Sequence, residues 1–118
     1  MPWTYSQGTG ELQYNGKHVA RGYSGKSSGR NNPKLEYKAS TGPIPQGKWA
    51  IGKGFKHKNR GPMVMSLTPV DHFAYFRDHF LIHGDNASHN ASEGCIILGP
   101  AARKRIMDSG DRELIVVP

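Results

Sequence analysis

Glycine and proline punctuate this chain so closely that no apolar run outlasts a short strand. Of the 118 residues, 15 are Gly and 8 are Pro, while only 36% are hydrophobic. A chain of this length builds one small core, and the punctuation limits most elements to a few residues between turns. The expectation is a single, mainly β domain spanning residues 1–118 with one short helix. No stretch approaches the roughly 20 apolar residues that span a bilayer. Met1-Pro2-Trp3-Thr4-Tyr5 has neither a basic nor an apolar leader region, so synthesis in the cytoplasm and a signal-independent export route are expected.

Local signals place the elements. Glu11-Leu12-Gln13-Tyr14 alternates, Asn15-Gly16 is a two-residue turn signal, and Lys17-His18-Val19-Ala20 leads away, so Trp3 to Gly22 reads as a hairpin. Residues 24–34 read as a polar, flexible loop, flanked by Tyr23 and Tyr37, that could cover a site. Gly25-Lys26-Ser27 ends like a phosphate loop, but Ala20 stands where that pattern needs glycine and no helix signal follows. Thr41 to Gly47 is a rigid turn feeding a strand at Lys48–Ile51. Further strands are expected at Met63–Leu67, Phe80–His83, Cys95–Leu98 and Glu113–Val117. Pro100–Ser109 is the one helix, with Pro in its first turn and Gly110 just beyond its end. Trp3 and Trp49 are expected in the core; the aromatic cluster Phe73, Tyr75, Phe76 and Phe80, bracketed by His72 and His79, reads as core packing or else as a wall that lines a substrate site.

The net charge of +7 is unevenly spread: residues 1–60 hold eleven Lys/Arg against two acids, and residues 61–118 hold five against seven. A basic half is drawn to polyanions, whether nucleic acid, a membrane surface or an acidic envelope polymer, or serves solubility alone. A basic β-rich nucleic-acid-binding module is therefore one reading; it predicts steep salt dependence and indifference to Cys95→Ala. The basic loop Lys53, Lys56, His57, Lys58 and Arg60 has no role that the sequence assigns.

Another reading starts from His83 to Leu98. An apolar strand delivers His83-Gly84-Asp85-Asn86, a loop of small residues follows, and Ser92-Glu93-Gly94-Cys95-Ile96-Ile97-Leu98 ends the segment. Cys95 is the one cysteine, so no internal disulfide can form. A free thiol is only a few per cent thiolate at neutral pH, and a histidine in reach can take its proton and later return it to a leaving amine. Gly94 permits a tight turn, and the Gly94 and Cys95 amides can face a developing oxyanion. The Gly84 carbonyl or the Asp85 carboxylate can orient His83. His89 is the reserve base, less suited because it sits on a loop. His79, His83, His89 and Cys95 follow no zinc-site spacing, so neither metal nor cofactor is expected. A cysteine peptidase acting on ordinary peptides is the rival within enzymes.

His-Gly, a loop, then Ser-x-Gly-Cys and aliphatics resembles the active-site signature of the L,D-transpeptidases, the YkuD-like family. Gly42-Pro43-Ile44-Pro45-Gln46-Gly47-Lys48-Trp49 resembles that family's turn into a core strand, and the order along the chain agrees over residues 37–98. The absence of a leader, the Gly-Pro-Ile-Pro-x-Gly turn and His-Gly-Asp-Asn are similar to one branch, the L,D-transpeptidase effectors of bacterial type VI secretion. The resemblance implies a β-sandwich or barrel with a short helix after the cysteine strand. It implies attack on the diaminopimelate–D-alanine bond of peptidoglycan stem peptides, then resolution by water or by an amine. Cys95 would be the nucleophile and His83 the base and acid. Gly84 would orient His83, Gly94 and Cys95 would form the oxyanion hole, and Ser92 would hold the loop. A cognate immunity protein, a secretion carrier and action in the periplasm of a target bacterium are implied with it; nucleic acid and membrane insertion are not. The chain departs from many housekeeping members at Ile97, where they carry arginine. Any task of that arginine falls to another residue or is absent.

Overall fold

The computed structural model describes residues 2–118. Ten strands and one α-helix follow in order: β1 (Trp3–Ser6), β2 (Glu11–Tyr14), β3 (Lys17–Arg21), β4 (Tyr23–Ser24), β5 (Gly47–Ile51), β6 (Phe55–His57), β7 (Gly61–Val70), β8 (Leu81–His83), β9 (Ile96–Ile97), α1 (Pro100–Ser109) and β10 (Glu113–Val117). The mainly β expectation with one helix after the cysteine strand therefore holds. The strands join in the order β3-β2-β1-β10-β5-β7-β8-β9-β4, with β6 paired to β7.

Period-two alternation builds the centre. Trp3 and Tyr5 face inward from β1, and Leu114 and Val116 face inward from β10, which runs parallel to it in the register Trp3↔Leu114 and Tyr5↔Val116. Trp49 and Ile51 continue the same layer from β5. Ala102 and Ile106, four apart on α1, close over the layer. Both tryptophans are buried as expected, and each indole N–H is satisfied: Trp3 Nε1 donates to Ser109 Oγ at 3.2 Å, and Trp49 Nε1 to the Pro45 carbonyl at 3.0 Å.

The hairpin at Asn15-Gly16 forms as read, with φ of 54° and 75° at its two central residues, the turn that matches strand twist. Pro100 starts α1, and Gly110 ends it in the left-handed region at φ 70°.

Three expectations need correction. Residues 24–34 are not a loose loop. Ser24 is half of β4, two single 3₁₀ turns follow at Ser27–Gly29 and Pro33–Leu35, and Lys26 N–H donates to the Thr41 carbonyl at 2.8 Å. Polar composition here supplies tethers to neighbouring segments, not freedom. The basic loop contains β6, a hairpin partner of β7, and β7 runs to ten residues through Pro62 and Pro69. The aromatic cluster divides: Phe80 is buried and stacks edge-on against Trp49 at 4.9 Å, but Phe73 is 60% and Phe76 is 97% exposed. Tyr75, Phe76 and His79 have φ near +60°, and this irregular backbone turns the outer rings away from the core.

Candidate active site

The strand pairing β8–β9–β4 sets His83 and Cys95, twelve residues apart in the chain, on neighbouring strands. β8 and β9 are parallel in the register Ile82↔Ile96 and His83↔Ile97. Residues two apart share a face, so Cys95 emerges on the side of Ile97 and His83. It packs against a small cluster of Tyr23, Ala91 and Ile97. On the open side it lines a cleft of about 750 Å³ with Gly94, Glu93, Leu81, Phe76–Phe80, His57 and Arg60. A hollow of that size accommodates a peptide-sized ligand.

His83 does not line this cleft, and 0% of its surface is exposed. Its Nδ1 is 2.8 Å from the Gly84 carbonyl oxygen, so Nδ1 carries the hydrogen and donates it. That fixes the tautomer with a bare Nε2, and Nε2 is buried without a hydrogen-bond partner. Burial, foremost, holds the imidazole's pKa below its ordinary 6.5, and the nearby charges of Arg60 and Arg103 act in the same direction. The ring is a neutral acceptor. The Cys95 thiol is pushed up from the ordinary range, again mainly by burial, and it donates to the His79 carbonyl at 3.7 Å. The backbone of Leu81 and the charges of Arg60 and Arg77 oppose that rise.

Asp85, the other candidate to orient His83, is spent elsewhere. It accepts from Tyr23 Oη at 2.6 Å and meets His89 Nδ1 at 2.8 Å. His89 is exposed, paired with this carboxylate and absent from the lining of the Cys95 cleft. Among the described residues no three His, Cys, Asp or Glu side chains converge as a metal site.

The loop before Cys95 is held by hydroxyls. Ser92 Oγ accepts from Gly25 N–H at 2.8 Å and from Gly94 N–H at 3.1 Å, and donates to the Cys95 carbonyl at 2.6 Å. Ser92 is thus a loop holder by geometry. The same bond corrects the expected oxyanion pair: the Gly94 amide is engaged by Ser92, which leaves the Cys95 amide. Gly94 itself sits at φ +133°, and a Cβ there would lie 2.5 Å from a terminal nitrogen of Arg77.

Two residues escaped the sequence reading. Ser24 Oγ donates to the Gly94 carbonyl at 3.1 Å and accepts from Ile44 N–H at 2.9 Å, joining the Pro-rich turn to the cysteine loop. Arg77 donates to the carbonyls of Glu36, Pro43, Gly42 and Glu93, the last three at 2.9, 2.9 and 3.1 Å. Its partners are all backbone, so no pattern of side chains announces it; only the resting of its guanidinium on Phe80, three residues on, is local.

Comparison with known families matches residues 18–117 to the Tlde1 domain. No curated protein sequence matches the chain. The match runs from β3 through β10 and so takes in the cleft, the His83 strand and the Cys95 loop. The chain belongs to the Tlde1 domain family, a family of type VI secretion effectors.

Proposed function

We propose that the protein is a peptidoglycan-modifying cysteine enzyme, an L,D-carboxypeptidase or L,D-transpeptidase with D-amino-acid exchange. It acts on the diaminopimelate–D-alanine bond of stem tetrapeptides and serves as an antibacterial toxin in the periplasm of a target cell. The observation that carries this reading is a half-buried thiol on the wall of a peptide-sized cleft and, on the same face of the neighbouring strand, a buried, tautomer-fixed histidine whose Nε2 is bare. Membership of an effector family supports the antibacterial half, with a carrier and an immunity protein as its partners.

The chemistry follows from the two groups. Nε2 of His83 accepts the thiol proton, and the Cys95 sulfur forms a bond to the diaminopimelate carbonyl carbon. The charge that develops on that oxygen is met by the Cys95 amide. Collapse breaks the C–N bond, and His83 returns the proton to the departing D-alanine amine. Water, deprotonated by the same Nε2, then cleaves the thioester to leave a tripeptide. A D-amino acid amine gives an exchanged tetrapeptide instead. The thiol must turn from the His79 carbonyl toward Nε2 before its proton can pass.

Mass spectrometry of disaccharide tetrapeptide incubated with wild type and Cys95→Ala, with and without free D-methionine, tests the reading. Loss of D-alanine or its replacement by D-methionine, with wild type alone, is the expected result. Unchanged muropeptide with both proteins refutes it.

A further inference from the structure

The cations of the cleft are not equivalent. Arg77 is committed to backbone carbonyls. The cleft's two carboxylates are each engaged: Glu93 with Lys26 Nζ at 3.2 Å and Asp78 with His79 Nε2 at 3.7 Å. Arg60 differs from these. It closes the turn between β6 and β7, and its backbone N–H donates to His57 Nδ1 at 3.1 Å. Its guanidinium has no hydrogen-bond or ion-pair partner among the described residues, yet it lines the same cleft as the thiol.

The rest of the basic segment is arranged around that placement. Phe55, His57, Asn59 and Arg60 line the cleft, whereas Lys53, Lys56 and Lys58 do not. Hairpin pairing of β6 with β7 therefore selects one permanent cation from the run and sets it in the cleft that Gly94 and Cys95 also line. Its field reaches both Cys95 and His83, which places the charge near the reacting groups. Ile97, at the position where many housekeeping members carry arginine, is buried against Tyr23 and Ala91.

We propose that Arg60 is the specificity residue that holds a carboxylate of the acyl-donor peptide in this cleft. The assignment rests on the function proposed above, whose donor carries two carboxylates near the scissile bond: that of the terminal D-alanine and that on the diaminopimelate side chain. A guanidinium binds a carboxylate through two parallel hydrogen bonds, fixing orientation as well as charge. The basic segment is thus a substrate-recognition hairpin with one working cation.

The test uses three donors: the tetrapeptide, its terminal carboxamide, and the form with the diaminopimelate side-chain carboxylate amidated. Release of the terminal residue is measured as kcat/KM for wild type, Arg60→Gln and Arg60→Lys, with thermal melts to verify folding. Arg60→Gln is expected to lose about 10- to 100-fold on the tetrapeptide, the worth of a charged hydrogen-bonded contact. Wild type should lose a similar factor on one amide, and Arg60→Gln should cost nothing more there. The amide that shows this identifies the carboxylate, and Arg60→Lys should recover part of the loss on the tetrapeptide. An equal loss on all three donors, or no loss on any, overturns the role of Arg60 while leaving the function standing. A folded wild type inert on all three overturns the function itself, and this assignment with it.

Discussion

His83 combines complete burial with a fixed tautomer, and its titration follows from that. Its folded pKa lies below 6.5, so between 6.5 and the folded value the unfolded chain binds the proton and the native state does not. The stability this contributes is present above pH 6.5 and is lost as pH falls toward the folded value. Thermal melts from pH 7.5 to 5 should fall more steeply for wild type than for His83→Gln; parallel curves would contradict a depressed imidazole. The same burial keeps Cys95 a thiol at rest. Alkylation by iodoacetamide should therefore rise with pH through an inflection on the alkaline side of an ordinary thiol. A plateau reaching into the acid range would instead reveal a standing thiolate–imidazolium pair. Gly94→Ala meets both an unfavourable φ and the Arg77 guanidinium, so it should abolish turnover and lower stability by about 1–3 kcal/mol. Wild-type kinetics and melting in that variant would show that the loop yields.

Between the elements, the site depends on long-range tethers. β9 has two residues and gains its position from β8 on one side and β4 on the other. Arg77, Ser24 and Ser92 then bind the loop before it to the 36–46 turn and the start of the 24–34 segment. Lysine keeps the charge of Arg77 but not the planar fork that serves several carbonyls. Arg77→Lys should therefore cost about 1–3 kcal/mol in chemical denaturation, since part-buried carbonyls lose their donors. It should also lower the alkylation rate of Cys95 at fixed pH, because the loop no longer presents the thiol in one geometry. A variant that melts like wild type would make Arg77 a surface residue in energetic terms. The sequence made β1, β2, β3, β5, β10 and α1 legible, because alternation, Asn-Gly, and the Pro and Gly at helix ends are local codes. It left β4 and β6 unseen, since strands of two or three polar-flanked residues exist only through their partners.

For the molecule as a whole, the two ends of the chain meet in the middle. β10 inserts between β1 and β5, so the centre of the sheet waits for the last strand. Such non-local pairing makes folding slow relative to a chain of local contacts. Deletion of residues 113–118 should leave β1 and β5 with open edges and give an aggregated product, read by size exclusion and circular dichroism; a soluble folded monomer would show that the sheet closes without β10. The proposed substrate lies outside the cytoplasm, which sets a test at this scale. Expression in a bacterial cytoplasm should be tolerated and export to the periplasm toxic, with the toxicity absent in Cys95→Ala. Equal growth inhibition from both compartments would contradict a wall target.

The candidate nucleophile and its histidine were readable from residue types and order, because a thiol, an imidazole and small residues at short spacing are a chemical statement made within sixteen residues; Ser92 as loop holder came from the family resemblance. The helix ends and the Asn-Gly turn were readable for the same reason, their information being local. Which carbonyl orients His83, which amide Ser92 occupies and what Asp85 does instead were open among neighbours in sequence, and burial and hydrogen bonding chose between them. Arg77 and Arg60 could not be singled out among 16 basic residues. A cation's task is set by what surrounds it, and their surroundings come from segments up to 41 residues distant, brought close only when the sheet closes.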